Sequence, residues 1–281
     1  MELTGIIAVL LIAAGALAAA AGAIAHHWAA GHDDFLQAAG ARLSRSRGAG
    51  PQHQPAATGR ERGQGMVALL LLTGLAAIML TAVALGKLVD DVTDGDGVAV
   101  IDHPVARFVA AHREPALTSF MRGVSAIGGP VGMVVLALAA GVVLGVAWRS
   151  WAPVAMLAVT AAGVIGLTVA FKAALGRPRP PMAQAVAAAD GYGFPSGHAA
   201  AAAAVCAAIA WLLTLRLPSW RARTAVWVVA AMLAALVGLS RVYLGVHWFT
   251  DVLGGWVFGL LWAAVVAAGW AASGRLSGLR R

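Results

Sequence analysis

Seven long apolar stretches constrain the fold of this chain more than any other feature of its sequence. Each approaches the roughly 20 apolar residues that a helix needs to cross a bilayer. They lie at about 3–25, 66–88, 130–148, 152–171, 198–215, 224–240 and 249–272. The bilayer core offers no water to backbone polar groups, so segments of this length and composition predict transmembrane helices.

The composition agrees with an integral membrane protein. Of the 281 residues, 60% are hydrophobic and 11% are charged, whereas soluble proteins carry about 25% charged residues. A soluble globule of this size could not bury so much apolar surface. The composition therefore excludes a soluble enzyme and a disordered chain. The net charge of +8 does not indicate a nucleic-acid-binding module, because many arginines lie between apolar runs, where they set topology.

We predict an all-α, polytopic membrane helix bundle with a six-helix core over 66–272 and one extra N-terminal transmembrane helix over 1–25. The first apolar stretch is too long for a signal peptide, and no positive charge precedes it, so we expect it to be retained. Residues 26–65 are polar and Arg-rich and predict a cytoplasmic linker. Residues 273–281 predict a basic cytoplasmic tail.

Lysine and arginine positions predict which segments face the cytoplasm. If the helices alternate, the Arg-rich linker, the tail and the links at 149–151 and 216–223 fall on one side. The positive-inside rule assigns that side to the cytoplasm. Segments 89–129, 172–197 and 241–248 then face outward. We therefore expect a multi-pass plasma-membrane protein whose outward segments carry its site.

Two amphipathic pieces within the first outward segment, near 101–111 and 115–127, are expected to lie at the membrane interface. The other two outward segments break the positive-inside rule. Their cations are Lys172, Arg177, Arg179 and Arg241. Positive charge on the outward side calls for a functional explanation.

The first cationic cluster holds Lys172, Arg177 and Arg179 within eight residues. Pro178 and Pro180 prevent further helix and keep the chain extended. Snorkelling towards the headgroups would account for Lys172 alone. Rigidly held arginine side chains are suited to gripping a phosphate with two parallel hydrogen bonds.

The second cluster is a tight turn, from Phe194 to His198, that leads directly into an apolar helix. Ser196 offers a hydroxyl group, and the N–H groups at a helix start point at an anion. An ordinary serine N-cap would explain Ser196. It gives no reason for a histidine at the mouth of the span.

The third cluster contains His247 and Asp251, four residues apart. On a helix this spacing places both side chains on one face, within hydrogen-bonding reach. A carboxylate that fixes the tautomer of an imidazole is the logic of a catalytic His–Asp pair. A structural cap would suffice if the pair stood alone. Three such clusters on one membrane face instead suit phosphoryl transfer, which needs charge stabilisation and in-line positioning.

These residues resemble the type 2 phosphatidic acid phosphatase superfamily of membrane lipid phosphatases. Its signature has three parts, which all occur here in order. They are Lys, six residues and Arg-Pro at 172–180; Pro-Ser-Gly-His at 195–198; and Ser-Arg, five residues, His, three residues and Asp at 240–251. The resemblance covers roughly residues 66–272.

The resemblance implies a phosphatase that uses neither metal nor cofactor. His247 would be the nucleophile and form a phosphohistidine, Asp251 would orient it, and His198 would protonate the leaving oxygen. The implied phosphate-binding residues are Lys172, Arg179, Arg241, Ser196 and Gly197. Arg177, from the Gly-Arg-Pro-Arg-Pro variant of the first motif, is a further candidate.

Several alternatives stay open from the sequence. The substrate is a lipid phosphate in the bilayer, either a polyprenyl diphosphate or a phosphomonoester such as phosphatidate or phosphatidylglycerol phosphate. A lipid phosphotransferase and a non-enzymatic lipid or anion transporter are the competing functions. Vanadate-dependent haloperoxidases use a related anion site, but they are soluble, and the composition argues against them. The oligomeric state is not determined by the sequence.

Overall fold

The computed structural model describes residues 83–181 and 185–272, and every regular element there is helical. The elements are α1 (83–94), a 3-10 helix (Gly97–Ile101), α2 (Asp102–Ala111), α3 (Pro115–Ile127), α4 (Pro130–Trp148), α5 (Ala152–Leu175), α6 (Gly197–Thr214), α7 (Trp220–Tyr243) and α8 (Phe249–Ala272). The predicted N-terminal span, the linker, most of the span at 66–88 and the tail lie outside the described residues.

Five of these helices, α4 to α8, are long and apolar enough to cross a membrane. They confirm the all-α membrane architecture and the existence of the five corresponding predicted spans. Helices α5 and α7 extend a few residues beyond the predicted apolar stretches, to Leu175 and Tyr243. Lys172 and Arg241 therefore lie in the last turns of these helices and not in loops. Gly176 ends α5 by adopting a left-handed conformation, with φ of 60°, and donating its N–H to Lys172 O.

Helix α6 lies at the centre of the bundle. Of the 18 residues that form its most apolar stretch, 67% are buried. The corresponding share in α4 is only 17%. Small residues bring α8 close to it: a Cβ atom at Gly259 would lie 2.2 Å from Ala200 O, and one at Gly255 would lie 2.6 Å from Ser196 O. The Gly255/Gly259 spacing, a weak signal in the sequence, is thus a close helix–helix contact.

Helix α4 lies at the periphery. Four of its valines are more than half exposed, namely Val131, Val135, Val143 and Val146. An apolar face this exposed is what a lipid-facing helix presents, because hydrocarbon does not penalise it. The helix lengths and this apolar exterior together describe a multi-pass membrane protein.

The site lies at one end of the bundle. Consecutive long helices bring together the ends of α5 and α7 and the starts of α6 and α8, and Ser196 N donates to Asp251 O at 2.9 Å. At the opposite end, Arg216 stacks on Trp148, 5.1 Å from the ring centroid. The two predicted amphipathic pieces are helices α2 and α3. They pack over the site end, where Thr250 N donates to Asp102 Oδ1 at 2.9 Å and Glu114 N to Tyr243 Oη at 3.0 Å.

Candidate active site

His247 and Asp251 form a buried pair at the start of α8. Asp251 Oδ2 lies 3.1 Å from His247 Nδ1 and accepts a hydrogen bond from Trp248 N at 3.0 Å. His247 precedes the first residue of α8, so the contact spans the helix start. The expectation that both side chains share a helical face was therefore wrong, although their separation is as expected. Asp251 also receives the Trp248 N–H, which explains why the chain turns there before the helix begins.

The second nitrogen of the His247 ring fixes its tautomer. Nε2 lies 3.0 Å from an amino group of Arg179. A guanidinium group can only donate, so Nε2 accepts, and the ring proton is on Nδ1, where Asp251 accepts it. Burial lowers the pKa of His247 to about 4, against the opposing effect of Asp251. The imidazole is therefore neutral at pH 7, with the Nε2 lone pair facing the cationic cluster.

Arg179 is fixed by backbone carbonyl groups. It donates to Gly191 O at 2.9 Å, Val246 O at 2.8 Å and Asp190 O at 2.9 Å. Carbonyl oxygens orient the guanidinium group without neutralising it. Arg179 consequently keeps its positive charge beside His247 Nε2.

Lys172 and Arg241 are held in a similar way. Lys172 Nζ donates to the carbonyl oxygens of Tyr192 and Gly193, and the buried Arg241 donates to Ser125 Oγ. Within 83–181 and 185–272, neither of these cations forms an ion pair, nor does Arg179. The site thus brings together three cations that form no direct ion pair with the described residues. Ser125 is a contributor that the sequence patterns did not reveal.

Ser196 does not cap α6. Its side chain makes no capping hydrogen bond, and Ser196 Oγ is fully buried without a hydrogen-bond partner among the described residues. The same holds for Arg241 Nε. The ordinary N-cap explanation for Ser196 is therefore wrong. Buried polar atoms without partners are costly, so each of these two atoms would gain from a hydrogen-bond partner such as a ligand or a water molecule.

His198 and Gly197 stand at the first turn of α6. His198 faces the start of α4, where a Cβ atom at Gly129 would lie 3.1 Å from its Nε2 atom. His198 and Arg241 both line a cavity of about 350 Å³. The predicted second histidine and a predicted phosphate-binding arginine thus line the same cavity.

Arg177 contacts acidic groups instead of joining the open cationic cluster. One amino group lies 2.8 Å from Asp102 Oδ2. The other donates to Asp251 Oδ1 and, at 2.9 Å, to Thr250 Oγ1. The Arg177 side chain is only 12% exposed, and both carboxylates are buried. The structure therefore assigns Arg177 to the support of Asp251.

Asp102 completes this support, and the sequence patterns did not single it out. It is the first residue of α2 and accepts hydrogen bonds from Thr250 N and Thr250 Oγ1. An acidic residue in a first helical turn is commonplace, so its local sequence gave no signal. Its role depends on a contact between segments 148 residues apart.

The fold and this site define a class of protein: a membrane helix bundle with a buried His–Asp pair beside a cluster of lysine and arginine side chains. Among the described residues, no group of three or more His, Cys, Asp or Glu side chains is arranged to hold a metal ion. The absence of metal from the mechanism remains a prediction.

Comparisons with known proteins agree with this class. Residues 151–275 match the model of the PAP2 superfamily. Phosphatidylglycerophosphatase B of Bacillus subtilis is 35% identical over 161 residues, which are 57% of this chain and 78% of that protein. An undecaprenyl-diphosphatase of Sulfolobus acidocaldarius is 41% identical over 68 residues, or 24% of this chain and 29% of that protein.

A solved structure shares the fold. The crystal structure of a transmembrane PAP2-type phosphatidylglycerolphosphate phosphatase from Bacillus subtilis matches with a TM-score of 0.59 and 32% identity. The match covers 66% of this chain and 92% of that chain. The chain belongs to the PAP2 superfamily, as the three-part signature predicted.

Proposed function

We propose that this chain hydrolyses a phosphate or diphosphate ester of a membrane lipid through a phosphohistidine on His247. Its relatives are named as a phosphatidylglycerophosphatase and an undecaprenyl-diphosphatase, and the chain is accordingly a phosphoric ester hydrolase acting on lipid phosphates. The observation that carries the mechanism is the His247 tautomer. Its proton is held by Asp251, and its Nε2 lone pair faces the cations.

In the first step, Arg179 shifts its hydrogen bond from His247 Nε2 to a phosphate oxygen, and the freed Nε2 lone pair attacks the phosphorus atom while the bond to the lipid oxygen breaks. The leaving oxygen takes a proton from His198, and the lipid departs in line with the incoming nitrogen. Asp251 stabilises the positive charge that develops on the imidazole. In the second step, water attacks phosphorus, His198 accepts a water proton, and the N–P bond breaks. The products are inorganic phosphate and neutral His247.

The cationic cluster stabilises the charge on the transferring phosphoryl group. Lys172, Arg179 and Arg241 supply three positive charges, and the Ser196 hydroxyl and Gly197 N–H supply neutral donors. Donors that are already oriented need little reorganisation during the reaction. The carbonyl contacts of Lys172 and Arg179 and the Ser125 contact of Arg241 support this assignment.

We place the site on the extracytoplasmic face of the plasma membrane. Arg149, Arg216, Arg221 and Arg223 lie at the helix ends away from the site, and positive residues favour the cytoplasmic side. A membrane-impermeant thiol reagent on intact cells tests this. In a Cys206→Ser background, which removes the single cysteine, Asp190→Cys should be labelled and Arg221→Cys should not. The reverse pattern would place the site in the cytoplasm.

Phosphate release by the detergent-purified full chain tests the activity. The substrates are a polyprenyl diphosphate, phosphatidylglycerol phosphate and phosphatidate, and each reaction is run with and without EDTA. Wild type should release phosphate from at least one of them, and folded His247→Ala should release none. Wild-type rates in His247→Ala would refute the mechanism. An activity that EDTA abolishes would refute metal independence.

A further inference from the structure

We propose that Arg122 binds a second phosphate group on the leaving side of the substrate. The enzyme would then prefer a lipid with an anionic phosphate beyond the one it removes. This inference rests on the proposed function of the site. It starts from the cavity beside His198, which is lined by Arg122, Ser125 and Arg241 on its polar side.

The position of the cavity makes it the exit side of the reaction. An in-line transfer requires the leaving group to depart opposite the attacking nitrogen of His247. His198, the proposed proton donor to the leaving oxygen, lines the cavity, whereas His247 does not. The group attached to the leaving oxygen therefore lies in this cavity.

Two arginines of the described segments line the cavity, and they have different surroundings. Arg241 is buried and bonded to Ser125 in the proposed phosphate cluster. Arg122 projects from α3, is exposed, and donates to Val186 O at 2.7 Å. It forms no ion pair within the described part of the chain. The backbone contact orients Arg122 at the cavity wall and leaves its charge available to an anion.

The rest of the cavity suits a lipid headgroup that continues into the bilayer. Pro130, Val131 and Leu244 supply apolar surface, and Val131 is 79% exposed on the outer face of α4. The lining residues within 83–181 and 185–272 include no carboxylate that would repel a phosphate. A headgroup with one more phosphate can thus reach Arg122 while its apolar part leaves along α4.

Leaving-group chemistry divides the candidate substrates into two classes. The leaving group of a polyprenyl diphosphate is a polyprenyl phosphate, and that of phosphatidylglycerol phosphate is a lipid with a phosphodiester. Both leaving groups are anionic. Phosphatidate leaves as neutral diacylglycerol. A guanidinium group binds phosphate oxygens through paired, charge-assisted hydrogen bonds. Arg122 should therefore assist the first class and have no effect on the second.

The test compares Arg122→Ala with wild type on all three substrates, using the full chain in detergent. Arg107→Ala is the matched control, because Arg107 is an exposed arginine on neighbouring α2 and does not line the cavity. We expect kcat/KM to fall about 10- to 100-fold on one or both two-phosphate lipids. Phosphatidate hydrolysis should change less than about twofold, and Arg122→Lys should restore part of the loss.

The pattern of losses identifies the second phosphate. If kcat/KM falls only on the polyprenyl diphosphate, Arg122 binds the second phosphate of a diphosphate. If kcat/KM falls only on phosphatidylglycerol phosphate, Arg122 binds the phosphodiester. An equal loss on all three substrates, no loss on any, or a wild-type preference for phosphatidate would overturn the inference. The proposed function would survive these results if His247→Ala is inactive. Wild type that hydrolyses none of the three would overturn both.

Discussion

Replacing Arg177 by Met separates support of the nucleophile from binding of phosphate. Met keeps an unbranched side chain as far as the position of the arginine Nε atom, but it has no guanidinium group and cannot donate to Asp102 or Asp251. A hydrogen bond to a charged group contributes about 1.5–3 kcal/mol, and about 1.4 kcal/mol corresponds to tenfold in rate. If the hydrogen bond from Arg177 to Asp251 Oδ1 acts only on the orientation and basicity of His247, its loss in Arg177→Met should lower kcat about 10- to 150-fold.

Stability should fall in the same variant. The Asp102 and Asp251 side chains are 3% and 0% exposed, so water cannot replace the lost arginine. Removing one partner of a buried ion pair costs about 3–5 kcal/mol. The double variant Asp102→Asn/Arg177→Met removes one of the two unpaired carboxylates. It should recover part of the lost thermal stability without recovering kcat.

The assay measures kcat together with inhibition by inorganic phosphate, the reaction product. In Arg177→Met the inhibition constant should stay within about threefold of wild type, because Arg177 supports Asp251. In the matched control Arg179→Met, phosphate should bind at least about tenfold more weakly. An Arg177→Met variant with normal kcat and weakened phosphate inhibition would refute the assignment.

Three further predictions follow from the site and its packing. Arg241→Lys should lower kcat/KM about 10- to 100-fold, because lysine cannot keep the Ser125 contact and also offer a planar fork to phosphate; unchanged kinetics would contradict this. Gly259→Ala should lower the free energy of unfolding by about 1–3 kcal/mol, because its Cβ would lie 2.2 Å from Ala200 O; thermal unfolding should show no such loss for Gly269→Ala, which has open space. Burial lowers the pKa of His247 to about 4, so kcat/KM should fall as the pH drops through about 4 and protonation removes the Nε2 lone pair; an acid limb assigned to His247 near 6.5 would contradict the buried, neutral nucleophile.

The sequence was sufficient to predict the five membrane helices of the described residues and the meeting of the three motif segments. Apolar length determines which segments can span a bilayer, and alternation of the spans brings the ends of α5 and α7 to the starts of α6 and α8. The ends of α5 and α7 were less predictable. From the sequence, Lys172 and Arg241 could lie in a final helical turn or just beyond it. In α5, the left-handed cap at Gly176 sets the end of the helix beyond Lys172.

The supporting residues could not be predicted, because their roles depend on contacts between distant segments. Arg177 stands two residues from Arg179 and has the same chemistry, yet its guanidinium group contacts Asp102 and Asp251. Ser125 is an unremarkable serine in an amphipathic helix until α3 packs beside Arg241. A one-dimensional pattern gives residue types and spacing. It does not give the direction in which each side chain points once the helices pack.

The phosphohistidine is the central claim, and trapping it is the most direct measurement. Wild type is mixed with substrate carrying a labelled scissile phosphate and quenched in alkali within one turnover, because an N–P bond is lost in acid. Mass spectrometry should then find the labelled phosphoryl group on His247, with no label on the protein in His247→Ala. Full turnover by wild type with no label on any histidine, together with activity in His247→Ala, would contradict the mechanism.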